Sequence, residues 1–253
     1  MKFRNLTLLL VAILFTATKT SWSQEKNSPT AKISAELVSS YIWRGSPSYT
    51  YNNSQTMLAP NIQPTLGLVF GGLEIGAWGS TDFSGSYQEM DLYALYSVKG
   101  FTATFTDYFW DANWSTRPYF SYKNETTSHI FEGSLGYEFT KIPLSITVAT
   151  MLYGADKKQD NEGNTKNNYS TYVELGYAFK VQEYNFDAVV GITPDDGFYG
   201  DGYGGVTGFG VVNLGLTGSK KIQLSEKIET TLRSSLIFNP QQEKAYLVFG
   251  LSF

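Results

Sequence analysis

The chain has 253 residues and is 42% hydrophobic, 16% aromatic and 17% charged, with 24 glycines and no cysteine. A charged share below the ~25% of ordinary soluble domains, beside so many aromatics, excludes a disordered chain and fits a cytosolic enzyme poorly. The formal net charge of −4 offers no basic footprint for nucleic acid, and the missing cysteines remove disulfides, thiolate metal sites and cysteine nucleophiles.

Mean hydropathy is −0.20, and no run approaches the ~20 apolar residues that a spanning helix needs. Any membrane role therefore calls for strands. At the N-terminus, Lys2 and Arg4 precede the apolar stretch Leu6 to Ala17, and Ser21 and Ser23 bracket Trp22 in a small-x-small pattern. This predicts a signal peptide over 1–23 and export of the remainder. Residues 24–30 show no periodicity and form a short periplasmic lead-in. Residues 31–253 form the folded unit, and no plug-sized domain precedes it, which argues against a TonB-dependent transporter.

From Ala31 onward apolar and polar side chains alternate with period two, breaking at Gly, Pro, Asn or Asp clusters. The spacing predicts twelve strands, near 31–44, 60–71, 73–81, 88–99, 101–110, 129–140, 143–153, 169–181, 183–193, 208–219, 225–238 and 243–253. The last shows the pattern plainly: Ala245, Leu247, Phe249, Leu251 and Phe253 share one parity, and Tyr246, Val248, Gly250 and Ser252 the other.

A soluble sandwich or an inside-out membrane barrel could use such strands. The gaps favour the barrel. Longer ones (45–59, 82–87, 111–128, 154–168, 194–207) alternate with tight ones at Gly71-Gly72, Lys99-Gly100, Lys141-Ile142 and Gln182-Glu183, as external loops alternate with periplasmic turns. Only the gap at Asn239-Pro240 is short for its place. The expected fold is an all-β, twelve-stranded antiparallel transmembrane β-barrel in the outer membrane of a Gram-negative bacterium. Aromatics near strand ends suggest two interface girdles: Tyr41, Trp43, Trp78, Phe109, Trp110, Tyr153 and Phe238 outward, and Phe70, Phe101, Phe139, Phe179, Tyr184 and Phe253 toward the periplasm. The final strand ending in Phe253 resembles the C-terminal assembly signal of outer-membrane barrels, which implies the barrel assembly machinery and outer-membrane lipid as partners.

The polar parity places Glu36, Arg44, Glu74, Glu89, Asp91, Glu132, Glu138, Glu174, Lys180, Asp187, Lys227, Glu229 and Arg233 in the lumen, nine carboxylates against four bases. These charges either brace the interior as ion pairs or line a passage whose field favours cations. In the loops, 154–168 is uniformly hydrophilic and reads as a solvated surface segment. Residues 194–207 combine Asp195, Asp196 and Asp201 with Tyr199 and Tyr203, but their spacing fails the EF-hand pattern, so no metal is implied. A sugar platform and a plain Gly-rich turn both fit them.

An enzyme would need a base, and the one histidine, His129, lies on the lipid-facing parity, as does Asp107 in the preceding strand. Either the two meet at the outer leaflet under the intervening loop, or His129 merely tops a strand and Asp107 marks a bulge. Ser115, Ser121 and Ser128 are nearby serines without a nucleophile elbow. The expectation is no enzyme, no catalytic residue, no metal and no cofactor.

Residues 38–45 read VSSYIWRG, followed by Gln63-Pro64, by GAWGSTDF at 76–83 and by EMDLY at 89–93. This order resembles the family of outer-membrane barrels known as TorF-type porins, or Gcw_chp, which carry a Tyr-x-x-Arg-Gly signature on the first strand. The likeness covers roughly 33–110 and touches Tyr41, Arg44, Gly45, Glu89, Asp91 and Tyr93. It implies a barrel with a pore role and supplies no substrate. Arg44 pairing with a lumenal carboxylate such as Asp91 would then close the start of the barrel. Together these readings predict a porin for small polar solutes or ions. A closed barrel whose loops bind a surface ligand, and a lipid-modifying enzyme using His129, remain the alternatives.

Overall fold

A computed structural model of the chain describes residues 28–47, 59–83, 85, 87–111, 118–195, 197–199, 208–226 and 228–253. The expected signal peptide and most of the lead-in, 24–27, lie outside them. Twelve long strands follow one another: β1 (Thr30–Val38), β2 (Asn61–Phe70), β3 (Leu73–Asp82), β4 (Gln88–Val98), β5 (Phe101–Tyr108), β6 (Ile130–Glu138), β7 (Leu144–Gly154), β8 (Thr171–Val181), β9 (Tyr184–Thr193), β10 (Gly210–Ser225), β11 (Ile228–Asn239) and β12 (Lys244–Ser252). Each pairs antiparallel with its neighbours in sequence, and β12 pairs back onto β1 through Glu36↔Ser252, Leu37↔Leu251 and Val38↔Gly250. The sheet is thus closed, leaving no free edge along the paired length.

The wall is apolar outside. Leu66, Leu135, Leu175 and Leu247 are each more than half exposed, on the parity opposite to the lumenal charges. In water such a belt would be a large exposed patch; against hydrocarbon it is the favourable arrangement, so this is a transmembrane β-barrel. One end carries tight turns. At Lys99-Gly100 both residues have positive φ (50° and 83°), which suits a two-residue turn between twisted strands. We call this the turn end and the other the loop end. Phe70, Phe139, Tyr184 and Phe253 form the exposed aromatic rim at the turn end, as the sequence pattern predicts.

Three departures from the expected strands have local causes. β1 stops at Val38 instead of continuing to 44, because Ser39 caps the ladder: its N–H donates to the Phe249 carbonyl (2.8 Å) and its Oγ accepts from the Phe249 N–H (3.0 Å). The following residues fold into a small hairpin, Ile42–Trp43 against Ser46–Pro47, whose tip residues Arg44 and Gly45 have φ of 49° and 83°. β10 runs past the expected end at 219 to Ser225. Its Lys220 lies at the turn-end rim, paired with Glu183 (3.0 Å) and set over the Tyr184 ring, where a charged head reaches water. The third departure is 154–168, expected as plain loop: Lys157–Gln159 pairs with Thr165–Asn167 around Asp160, which accepts from the Asn164 and Glu162 N–H groups and pairs with Lys166 (2.7 Å).

Candidate functional site in the lumen

The inward hairpin crosses the lumen at the loop end. Its tip is held against β10 so closely that a Cβ on Gly45 would lie 2.0 Å from the Val212 carbonyl oxygen. Asn239 at the end of β11 donates from Nδ2 to the Gly45 carbonyl (3.1 Å) and to Ser46 Oγ (3.3 Å). From this tip Arg44 reaches the opposite wall. Nη1 donates to Glu132 Oε2 (2.6 Å) and Nη2 to Oε1 (2.9 Å), a bidentate fork on β6. Nη1 also donates to the Tyr199 hydroxyl. The guanidinium carbon lies 4.5 Å from the Trp43 ring centroid, 4.8 Å from that of Tyr172 and 5.3 Å from that of Tyr199, within cation–π range.

Around this pair the barrel has a hydrophobic core. Ile130, Met151, Tyr172, Tyr199 and Val212 are buried together, with Trp43, Tyr108, Trp110 and Phe198 packed against them. Bulges at Met151/Tyr153 and Gly191/Ile192 let the wall bend here. Glu132 also accepts from the Tyr108 (3.1 Å) and Tyr199 (3.0 Å) hydroxyls, so the carboxylate is fully bonded although only 3% of its side chain is exposed. The partner expected for Arg44 was a carboxylate such as Asp91; it is Glu132, because β1 ends early and the tip points across the lumen.

Asp91 and Glu89 belong to a second buried group at the loop end. The Tyr87 hydroxyl donates to Glu89, and the Tyr41 ring lies 5.4 Å from Trp78 and 6.3 Å from Tyr87. Asp91 Oδ1 has no hydrogen-bond partner. Glu174 accepts from the Tyr172 hydroxyl (2.5 Å) and lies near Asn213. Toward the turn end, Glu74 joins Lys32 (2.8 Å) to Tyr93 (2.6 Å), Glu36 pairs with Arg233 (2.6 Å), and Glu229 pairs with Lys221 (2.9 Å). Glu138, Lys180 and Asp187 are exposed there. Lys227 lies outside the described residues, as do Ser115, Asp196, Asp201 and Tyr203. Phe253 continues the seam, exchanging backbone hydrogen bonds with Ala35 (2.9 and 3.2 Å).

The outer girdle expected at the loop end is largely absent from the lipid face. Trp43 and Trp110 fill the lumen, Trp78 packs at a tilt against Tyr41, and Phe109 is buried under the loop before β6. Position near a strand end had marked them, but parity and loop cover decide their side. Phe238 is exposed outward as expected. Tyr199, expected either in a sugar platform or in a plain Gly-rich turn, is part of the core. Tyr108, Met151, Tyr172 and Val212 were missed; bulky residues on the inward parity near strand ends are the signal that finds the first three, whereas Val212 shares the outward parity of Leu214 and Leu216 and turns inward only at the bulge.

On the outside wall His129 and Asp107 do meet, Nδ1 to Oδ1 at 2.6 Å. Asp107 is in register opposite Phe131, so it marks no bulge. The segment before β6 folds over them: the Tyr119 carbonyl takes the His129 Nε2 (2.5 Å), and the rings of Phe109, Tyr119 and Tyr122 pack within 5.0 Å of the imidazole. A carbonyl can only accept, so Nε2 carries a proton, and Nδ1 is engaged by the carboxylate. Neither nitrogen offers a lone pair to a serine in this arrangement.

No family model matches the chain, and no curated protein does. Among solved structures, a porin refined at 1.8 Å resolution is similar over 82% of this chain at 12% identity with a TM-score of 0.36. The chain spans 65% of the length of that porin.

Proposed function

We propose that the protein is an outer-membrane porin of a Gram-negative bacterium for small polar solutes or ions, closed at its external end by the Trp43-Arg44 hairpin. On this reading residues 1–23 are removed on export, and the chain is akin to the TorF-type family. The observation that carries it is the contrast along the lumen. The turn-end half is lined by small and polar side chains, including Thr102, Thr104, Ser134, Gly136 and Ser145, whereas the loop-end half is filled by a returned hairpin packed against wall and loop side chains such as Tyr108, Met151, Tyr172 and Tyr199. The hairpin pairs only with itself and carries no rung of the wall, so that part of the filling can withdraw without breaking the barrel.

Planar-bilayer recording tests it. Wild-type protein is expected to conduct weakly, and a variant with 42–47 replaced by a short glycine-serine link to conduct steadily, with a preference for cations from the acidic excess. Silence from both proteins, each shown to be folded by heat-dependent mobility in SDS, would sink the porin reading. That result would favour a closed barrel presenting its loops to a surface ligand, which the packed loop-end core also suits.

A further inference from the structure

The Arg44 side chain occupies a seat that belongs mostly to the wall. Glu132 and Tyr108 stand on β6 and β5, Tyr172 on β8, and Tyr199 follows β9; of the groups touching the guanidinium, Trp43 alone arrives with the hairpin. We propose that this seat is a binding site for free guanidinium-type cations, with Arg44 as its built-in occupant. The proposal gives the porin reading a solute class, and depends on that reading only for how the solute arrives.

Three features select the ligand. Glu132 receives two parallel N–H bonds, which a planar guanidinium supplies and a spherical ion does not. The Tyr172 and Tyr199 rings favour a weakly hydrated cation over strongly hydrated sodium. When Arg44 is removed, Glu132 is left as a buried carboxylate with two hydroxyl donors and no counter-charge, so the vacated seat recruits a cation. Tetramethylammonium answers the rings but brings no N–H group for the carboxylate.

The test uses Arg44→Ala and Arg44→Gly in the full chain folded into lipid vesicles. Glycine suits the φ of 49° at this position and supplies folded protein where alanine does not. Thermal unfolding is followed with guanidinium chloride at low millimolar concentration, against sodium and tetramethylammonium chloride at the same concentration. Both variants should melt below wild type, and guanidinium alone should raise their midpoints, by the mass-action stabilisation of a bound ligand. Wild type, with its seat filled, should not respond, nor should Arg44→Gly combined with Glu132→Gln. Equal shifts with all three salts, no shift with any, or a guanidinium shift that survives Glu132→Gln would overturn the proposal. The same variants in bilayers separate the two readings. A selective melting shift in a silent barrel retains the site and sinks the pore, whereas a conducting barrel with no shift does the reverse.

Discussion

The two halves of the lumen are built on the same strands with the same alternation, yet they are different solvents. At the loop end Glu132 is 2% exposed and surrounded by rings; at the turn end Arg233 and Glu36 form a pair with 39% and 23% of their side chains exposed. Parity decides whether a residue faces in or out. It does not decide whether the interior is filled, which depends on whether a connection turns back into the barrel. Between Val38 and Asn61 one does.

The sharpest way to break the comparison is Glu132→Ala. Leaving the Arg44 guanidinium buried without its carboxylate should cost about 3–5 kcal/mol in urea unfolding from vesicles. Met151→Ala, which empties a fully buried position in the same core, should cost about 2–5 kcal/mol, depending on how far Tyr172 and Val212 close in. Gly45→Ala should cost about 1–3 kcal/mol, through the positive φ and the approach to Val212. It should also change the near-ultraviolet signal of Trp43 by displacing the tip. At the turn end, Arg233→Ala breaks a partly exposed pair and should cost at most about 1 kcal/mol. Equal losses from Glu132→Ala and Arg233→Ala would erase the distinction between the halves.

The smallest effect lies outside the wall, at the 157–167 hairpin. The bonds from Lys166 and from the Asn164 backbone hold the Asp160 carboxyl down at about 2, below its ordinary 3.8. Because the folded value is depressed, its support for the hairpin is complete above the ordinary value and is lost as pH falls through about 2. Amide exchange at Glu162 and Asn164 should therefore accelerate between those two values, while the barrel strands stay protected.

Much of this was legible in the sequence, and the limit is physical. Alternation and gap lengths carry the strands, because a barrel wall repeats the same two environments at every residue pair. Glu132 and Arg44 were marked as inward on that basis. Their pairing was not, since Arg44 faces Glu132 only after Ser39 ends β1 and a turn reverses the chain, and period two says nothing past a strand's end. The core residues Met151 and Val212 carry no charge to draw attention, and bulges shift the parity beside them. His129 and Asp107 stood out because polar groups on a lipid-facing parity need cover. The segment containing Tyr119 and Tyr122 provides it.

The seam between β1 and β12 also sets where the barrel is easiest to open. β1 shares nine register pairs with β2 but only three with β12, with Phe253 adding hydrogen bonds to Ala35. Every other junction between neighbouring strands holds at least seven pairs among the described residues. Unpaired peptide groups are too costly to leave in hydrocarbon. Strand separation should therefore begin at this seam, where the fewest peptide groups lose their partners.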